Sequence, residues 1–327
     1  MAVKRDIRPA AFGGRGWRPR RGTLADDIRE GRVWASCGLN SEYGRLREVV
    51  LYRPPARTPP PADPNAVQHL ERVDWARVAG EIGRAAACFR RLGVDVLALR
   101  PRLGRTAFKP EDCPNLVFVR DLFFMTPQGA IVSRMASAVR AGEERHLARA
   151  LAERGVPILG TIAGSGTFEG ADALWLRPGL VAVGLGNRTN AAGFGQLSDI
   201  LRRLGAACLP VSLPPGVQHL LGCLQVVDGD LAAVRPRLLP QAARRRLAEE
   251  GFETVPLPED DEVGRRTAMN FVAVSPRRVV MAAGCPATRR RLEAAGIAVA
   301  AEVSVSELAK AAGGLGCAAG ILGREPV

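Results

Sequence analysis

The stretch Ala173-Leu-Trp-Leu-Arg-Pro178-Gly179-Leu-Val-Ala-Val-Gly-Leu185 reads as two short apolar strands joined by a Pro-Gly turn. A helical pattern near Ala192–Leu204 and a further strand, Cys208–Leu213, follow it. The same order recurs along the chain. Leu116-Val-Phe-Val119 and Ala130-Ile-Val132 flank the Pro127-Gln-Gly129 turn, with a helix over 143–154 and a strand at Val156-Pro-Ile-Leu159. Leu224-Gln-Val-Val227, the Asp228-Gly229 turn and Leu231-Ala-Ala-Val234 lead to a helix through Arg244–Leu247 and a strand at Phe252–Leu257. Phe271-Val-Ala-Val274, the Ser275-Pro276 turn and Val279-Val-Met281 precede a helix after Pro286 and a strand at Ile297-Ala-Val299. A first unit is shorter: strand Leu46–Tyr52, a proline-rich connector over Thr58–Pro64, a helix carrying Trp75, Val78, Ile82, Ala86, Phe89 and Leu92, and strand Val94–Leu99. Five units with a period of about 50 residues predict a repeat architecture, read as a ring of αβ modules whose loops converge at one end.

The 327 residues are 47% hydrophobic and 24% charged, an ordinary globular balance. No apolar run reaches the ~18 residues needed to span a bilayer, and the N-terminus lacks the apolar core of a secretory signal. The net charge of +13 raises nucleic acid or an acidic membrane as partners, but the excess is spread and arginine-biased. One concentration lies in residues 1–35, where Lys4, Arg5, Arg8, Arg15, Arg18, Arg20 and Arg21 alternate with glycines. This arm is expected to be disordered, either a solvated tail or an RNA-binding arm, ahead of a single domain over 36–327. No zinc-finger spacing or basic-aromatic alternation elsewhere supports nucleic acid. Seven scattered cysteines without a Cys-x-x-Cys pair favour a reducing compartment over disulfides or structural zinc, so the cytoplasm is the expected location.

Four stretches place polar residues at equivalent edges of the repeats. Pro114-Asn115 opens an apolar run that ends in Arg120-Asp121, and Phe168-Glu169-Gly-Ala-Asp172 sets two carboxylates around a small-residue turn. Gln218-His219-Leu220-Leu221 lies between a Pro-Pro-Gly loop and an apolar strand, and Lys310-Ala-Ala-Gly-Gly-Leu-Gly-Cys317 surrounds a cysteine with glycine. Such a carboxylate as Asp121 is costly to bury unless paired, so it either bridges to a neighbouring arginine or receives a planar cation. Glu169 and Asp172 are equally compatible with turn-forming and capping roles. The glycines near Cys317 indicate unusual dihedrals or a close approach; the alternative is a plain turn followed by a buried strand, Ala318–Leu322. His69 and His146 sit in polar helical or pre-helical stretches and read as structural. A cysteine with a histidine distant in sequence is a candidate nucleophile and base.

Taken together, Asn115-x5-Asp121, Phe168-Glu-Gly-Ala-Asp172, Gly186-Asn-Arg188-Thr-Asn190, His219-Leu220 and Gly-Gly-Leu-Gly-Cys317 resemble the guanidine-modifying superfamily of arginine deiminases, dimethylarginine dimethylaminohydrolases and amidinotransferases. The resemblance runs from Ser41-Glu42 to Ile321. It implies an α/β fold, the fivefold pseudo-symmetric αβ-propeller or pentein. It implies Cys317 as nucleophile, His219 as general acid and base, and Glu169 as the carboxylate that orients it. Asp121 becomes a guanidinium ligand, Arg188 and Arg140 grip the substrate carboxylate, and Asn115 and Asp172 belong to the substrate site. The implied reaction is hydrolysis at the guanidine carbon of arginine or an N-methylated arginine through a covalent thiouronium, with amidino transfer to an amine as the alternative. A small arginine-like guanidine is the implied partner, no metal or organic cofactor is called for, and a homodimer is the assembly considered. One departure stands out. Deiminases and amidinotransferases carry an acidic residue two places after the histidine, where this chain has Leu221; dimethylarginine enzymes lack that acid, yet Arg120-Asp121 matches the deiminase pair.

Overall fold

The structure, a computed structural model, describes residues 8–58, 61–102 and 113–327. Lys4 and Arg5 of the basic arm and residues 59–60 of the proline-rich connector lie outside the described residues.

Five three-stranded sheets share one plan. In each, the middle strand pairs antiparallel with one neighbour and parallel with the other, and the parallel connection carries a helix, as such a crossover requires. The second to fifth sheets follow the chain: Phe123–Thr126, Gly129–Val132 and Ile158–Thr161; Ala173–Arg177, Leu180–Leu185 and Ala207–Ser212; Leu224–Val226, Leu231–Val234 and Glu253–Pro256; Val272–Ser275, Arg278–Ala282 and Ala298–Val303. Their helices are Glu143–Arg154, Ala191–Arg203, Gln241–Glu249 and Pro286–Ala294. The first sheet joins the two ends of the chain. Leu46–Leu51 pairs parallel with Asp95–Ala98 and antiparallel with Gly320–Arg324, which supplies the hairpin partner that the first unit lacked in sequence.

Local chemistry accounts for the boundaries. Asp74 accepts from the backbone N–H of Ala76 and Arg77 and starts the helix Trp75–Arg91, whose buried stripe is Trp75, Val78, Ile82, Ala85 and Phe89. Asn190 accepts from Gly193 N at 2.8 Å and from Thr167 N at 3.0 Å, capping one helix and fastening the preceding loop to it. The tight hairpin Thr126-Pro127-Gln128-Gly129 fixes the register Thr126↔Gly129 through Phe123↔Val132. Gly129 adopts φ +136°, and a Cβ there would lie 2.4 Å from the Pro157 carbonyl oxygen.

Two expectations change. The strand expected over Leu116–Val119 is a turn followed by a 3-10 helix, Val119–Leu122, and the strand begins at Phe123. An apolar run does not announce where it becomes extended; the register counted back from the hairpin does. The arm expected to be disordered contains the helix Leu24–Glu30, because Thr23 and Asp26 form a reciprocal capping box and Ile28 is buried. Ala35 donates to the Gly155 carbonyl at 2.9 Å, so the arm is tied to the rest of the chain before residue 36. Among the described residues no helix is long and apolar enough to cross a membrane.

Candidate active site

The polar edge residues of different sheets meet in one narrow cleft lined by Gln68, Asn115, Phe118, Asp121, Arg188 and His219, with Cys317 and the wall Ala311–Gly313 opposite. Cys317 lies on the one-turn helix Leu315–Ala318, immediately before the last strand. Both readings of this segment hold in part: a strand does follow, and the glycines answer a close approach rather than left-handed dihedrals. A Cβ on Gly313 would fall 2.2 Å from the Phe118 ring, and one on Gly314 would fall 2.8 Å from Thr267 Oγ1. The left-handed residue is their neighbour Ala312, at φ +68°.

Asn270 holds the thiol. Its Nδ2 donates to Cys317 Sγ at 3.1 Å, its Oδ1 accepts from Cys317 N at 2.9 Å, and its carbonyl accepts from Gly316 N at 3.0 Å. Burial pushes the Cys317 thiol up to about 11, aided by the Asp121 carboxylate and opposed by hydrogen bonds from the Gly314 segment and Asn270. The thiol is therefore neutral in the empty cleft at pH 7.

His219 has the opposite bias. Burial disfavours its charge, but Asp121, Glu169 and Asp172 outweigh burial and hold the imidazole up to about 9. Nε2 lies 2.7 Å from Glu169 Oε2, and Nδ1 lies 3.9 Å from Asp121 Oδ1. Although burial opposes it, the His219 bond together with Arg140 and Arg188 keeps the Glu169 carboxyl down at about 2. Glu169 also accepts from Ala136 N at 3.1 Å through Oε1. His219 is thus an oriented imidazolium at neutral pH.

Asp121 divides its two oxygens. Oδ2 accepts from Arg140 Nη1 at 2.5 Å, while Oδ1 is buried without a hydrogen-bond partner among the described residues. A salt bridge and a free receptor oxygen therefore coexist in one side chain. Arg140 is buried and committed: Nε donates to Glu143 at 2.9 Å and Nη2 donates to the carbonyls of Asn115 and Phe118 at 3.4 and 3.3 Å. Arg140, expected to grip a substrate carboxylate, does line the cleft, but its donors are engaged inside the protein and fix Asp121. Arg188 is less buried, and its Nη1 is 3.5 Å from both Gln68 Oε1 and Glu169 Oε1 at the edge of the cleft.

Asp172, expected in the substrate site, is not part of the cleft lining. It accepts from Thr189 Oγ1 at 2.7 Å and from Leu220 N at 3.0 Å, so it braces the His219 loop against the Arg188 loop. Burial pushes its carboxyl up to about 7. Asn115 does line the cleft, but its side chain is occupied by the Val67 carbonyl at 2.9 Å and His69 Nε2 at 3.1 Å. His69 is buried and structural, as its sequence context indicated. Asp121, Glu169 and His219 offer ligand atoms within 4.8 Å of one another, and Arg140 is lodged among these carboxylates as the resident cation.

Sequence reasoning missed Asn270, Gln68 and Phe118. Asn270 had a usable signal: it precedes the apolar run Phe271–Val274 as Asn115 precedes Leu116 and Glu169 precedes the third sheet. Gln68 had none, because it comes from a loop outside the repeat.

The arginine deiminase family model matches residues 97–212. The uncharacterized protein YkgA of Bacillus subtilis is 24% identical over 279 residues, covering 85% of this chain and 92% of that one. An arginine deiminase of Mycobacterium marinum is 26% identical over 337 residues, with 88% and 81% of the two chains covered. A crystal structure of a dimethylarginine dimethylaminohydrolase adduct superimposes with a TM-score of 0.68 at 25% identity, over 84% of this chain and 99% of that one. The five-sheet plan, the matched deiminase region and these likenesses support placing the chain in the guanidine-modifying superfamily.

Proposed function

We propose that this protein is a cysteine-dependent hydrolase of the guanidine carbon of arginine or an N-methylated arginine. The observation that carries the reading is the placement of Cys317, His219 and the unpartnered Asp121 Oδ1 in one cleft, with Arg188 at its edge. The five sheets act as blades of a fivefold propeller with this cleft at the axis. A guanidinium donates to Asp121 Oδ1 while Arg188 takes the substrate carboxylate, so the planar carbon is set against Sγ. The cation offsets the Asp121 charge beside the thiol, and the thiol loses its proton on substrate binding.

The thiolate forms an S–C bond to the guanidinium carbon, giving a tetrahedral adduct. His219 passes its proton to the departing nitrogen, the C–N bond breaks, and a thiouronium remains on Cys317. Neutral His219 then takes a proton from water as the water oxygen bonds to the carbon. The S–C bond breaks as the adduct's hydroxyl proton passes to sulfur, releasing the ureido product, citrulline from an arginine, and restoring the thiol. A reduced thiol suits the cytoplasm, and every cysteine among the described residues is free.

A second cavity favours amidino transfer as the alternative. It meets the first at Gln218, His219, Gly313 and Cys317 and extends away past Leu221, Val263 and Met269. An amine entering there reaches the same carbon as water. The test measures citrulline from arginine, monomethylarginine and asymmetric dimethylarginine with wild type and Cys317→Ser. Citrulline that disappears in the variant supports the hydrolase. Product formed only with an added amine replaces hydrolysis by transfer, and citrulline undiminished in Cys317→Ser overturns both.

A further inference from the structure

Behind the cleft, Glu42, Arg120 and Arg324 gather around a small cavity whose other walls include Leu221, Gln225 and Phe271. All three charged residues are buried, with Arg324 only 6% exposed. Their pairing is uneven. Arg120 Nη2 donates to both oxygens of Glu42, at 2.9 and 3.0 Å, and Glu42 Oε1 also accepts from Trp175 N at 3.3 Å. Arg324 Nη1 donates to the carbonyls of Gly44 and Ala273, both at 2.8 Å, but its Nε has no hydrogen-bond partner among the described residues.

Two buried guanidinium groups and one carboxylate therefore line the same cavity. The charged groups acting on Arg324 are Glu42, which favours its cation, and Arg120, which opposes it. Burying an unpaired charge is unfavourable unless something neutralises it, and a buried N–H without an acceptor adds a further penalty. The cavity, about 10 Å³, holds about one water-sized sphere, a size that admits a single small species and is too little for sulfate. The amide of Gln225, whose Nε2 donates to the Leu221 carbonyl at 3.3 Å, adds a further polar group at this wall.

We propose that this cavity is a binding site for a small monovalent anion of the chloride class, held between Arg324 and Arg120. The ion supplies the missing negative charge and an acceptor for Arg324, so it stabilises the folded chain without taking part in the reaction.

The test uses the full chain and compares chloride with gluconate at equal ionic strength. The expected result is a rise in Tm of about 2 °C or more in 100 mM chloride, since an ion bound only by the native state adds stability as its concentration passes its Kd. In Arg324→Met the chloride-dependent rise is lost. A crystal of the wild type soaked in bromide reads the site directly even where the variant does not fold, with an anomalous peak expected between the two guanidinium groups. A water in that position with no anomalous peak, or the same chloride shift in wild type and folded Arg324→Met, overturns the proposal.

Discussion

Replacing Asp121 with asparagine separates two effects that the cleft combines. The substitution keeps the shape but removes the charge proposed to receive the guanidinium, which also faces His219 and adds to burial in holding the Cys317 thiol up. A hydrogen bond to a charged group contributes about 1.5–3 kcal/mol, so loss of one such bond in the transition state lowers kcat/KM by roughly 10- to 150-fold. Arg140 retains Glu143 and the two carbonyls, so the variant is expected to fold with a lowered Tm. The thiol moves the other way. With the neighbouring negative charge gone, its ionisation in the empty site becomes easier, and alkylation by iodoacetamide at pH 8 speeds up. The assay follows citrulline release and alkylation in parallel on protein checked by thermal melting. Asp121→Asn with both rates lowered, or with kcat/KM within threefold of wild type, refutes the assignment of Asp121 as the charge that links substrate binding to thiol ionisation.

The imidazolium of His219 predicts a high-pH limit. Its pKa is raised to about 9, so its stabilising contribution is complete below the unfolded value near 6.5 and fades as pH rises through about 9. Donation to the leaving nitrogen fades over the same upper range, and a kcat/KM profile measured over pH 6–10.5 is expected to fall above about 9. Asn270→Ala removes the donor to Sγ and the acceptor for Cys317 N; kcat is expected to drop about tenfold and thiol alkylation to slow, measured by turnover and iodoacetamide kinetics. Gly313→Ala forces a methyl against the Phe118 ring, with an expected loss of about 1–3 kcal/mol in urea unfolding and a raised KM, because Phe118 also lines the cleft.

The repeat was legible because hairpin turns such as Pro127-Gln-Gly129 and Pro178-Gly179 punctuate apolar strands, and turn chemistry is local. The candidate site residues were legible at the same edges, and the fold brings Cys317, His219, Glu169, Asp121 and Arg188 together. That meeting depends on four separate units, and the spacing of motifs along the chain carries no distance between them.

What the amino-acid order determined by itself was the number of αβ units, their turns, and the residue types placed at their edges, since periodicity and turn preference act over a few residues. Tertiary structure alone decided how those residues are used. It joined Gly320–Arg324 to Leu46–Leu51 across the length of the chain. It turned Arg140 inward onto Asp121, tied Asp172 to the backbone of Leu220, and brought Asn270 against Cys317. It also gathered Glu42, Arg120 and Arg324 around one cavity. Charge balance and hydrogen-bond partners in a low-dielectric interior are properties of neighbours in space, and local sequence preferences do not encode them.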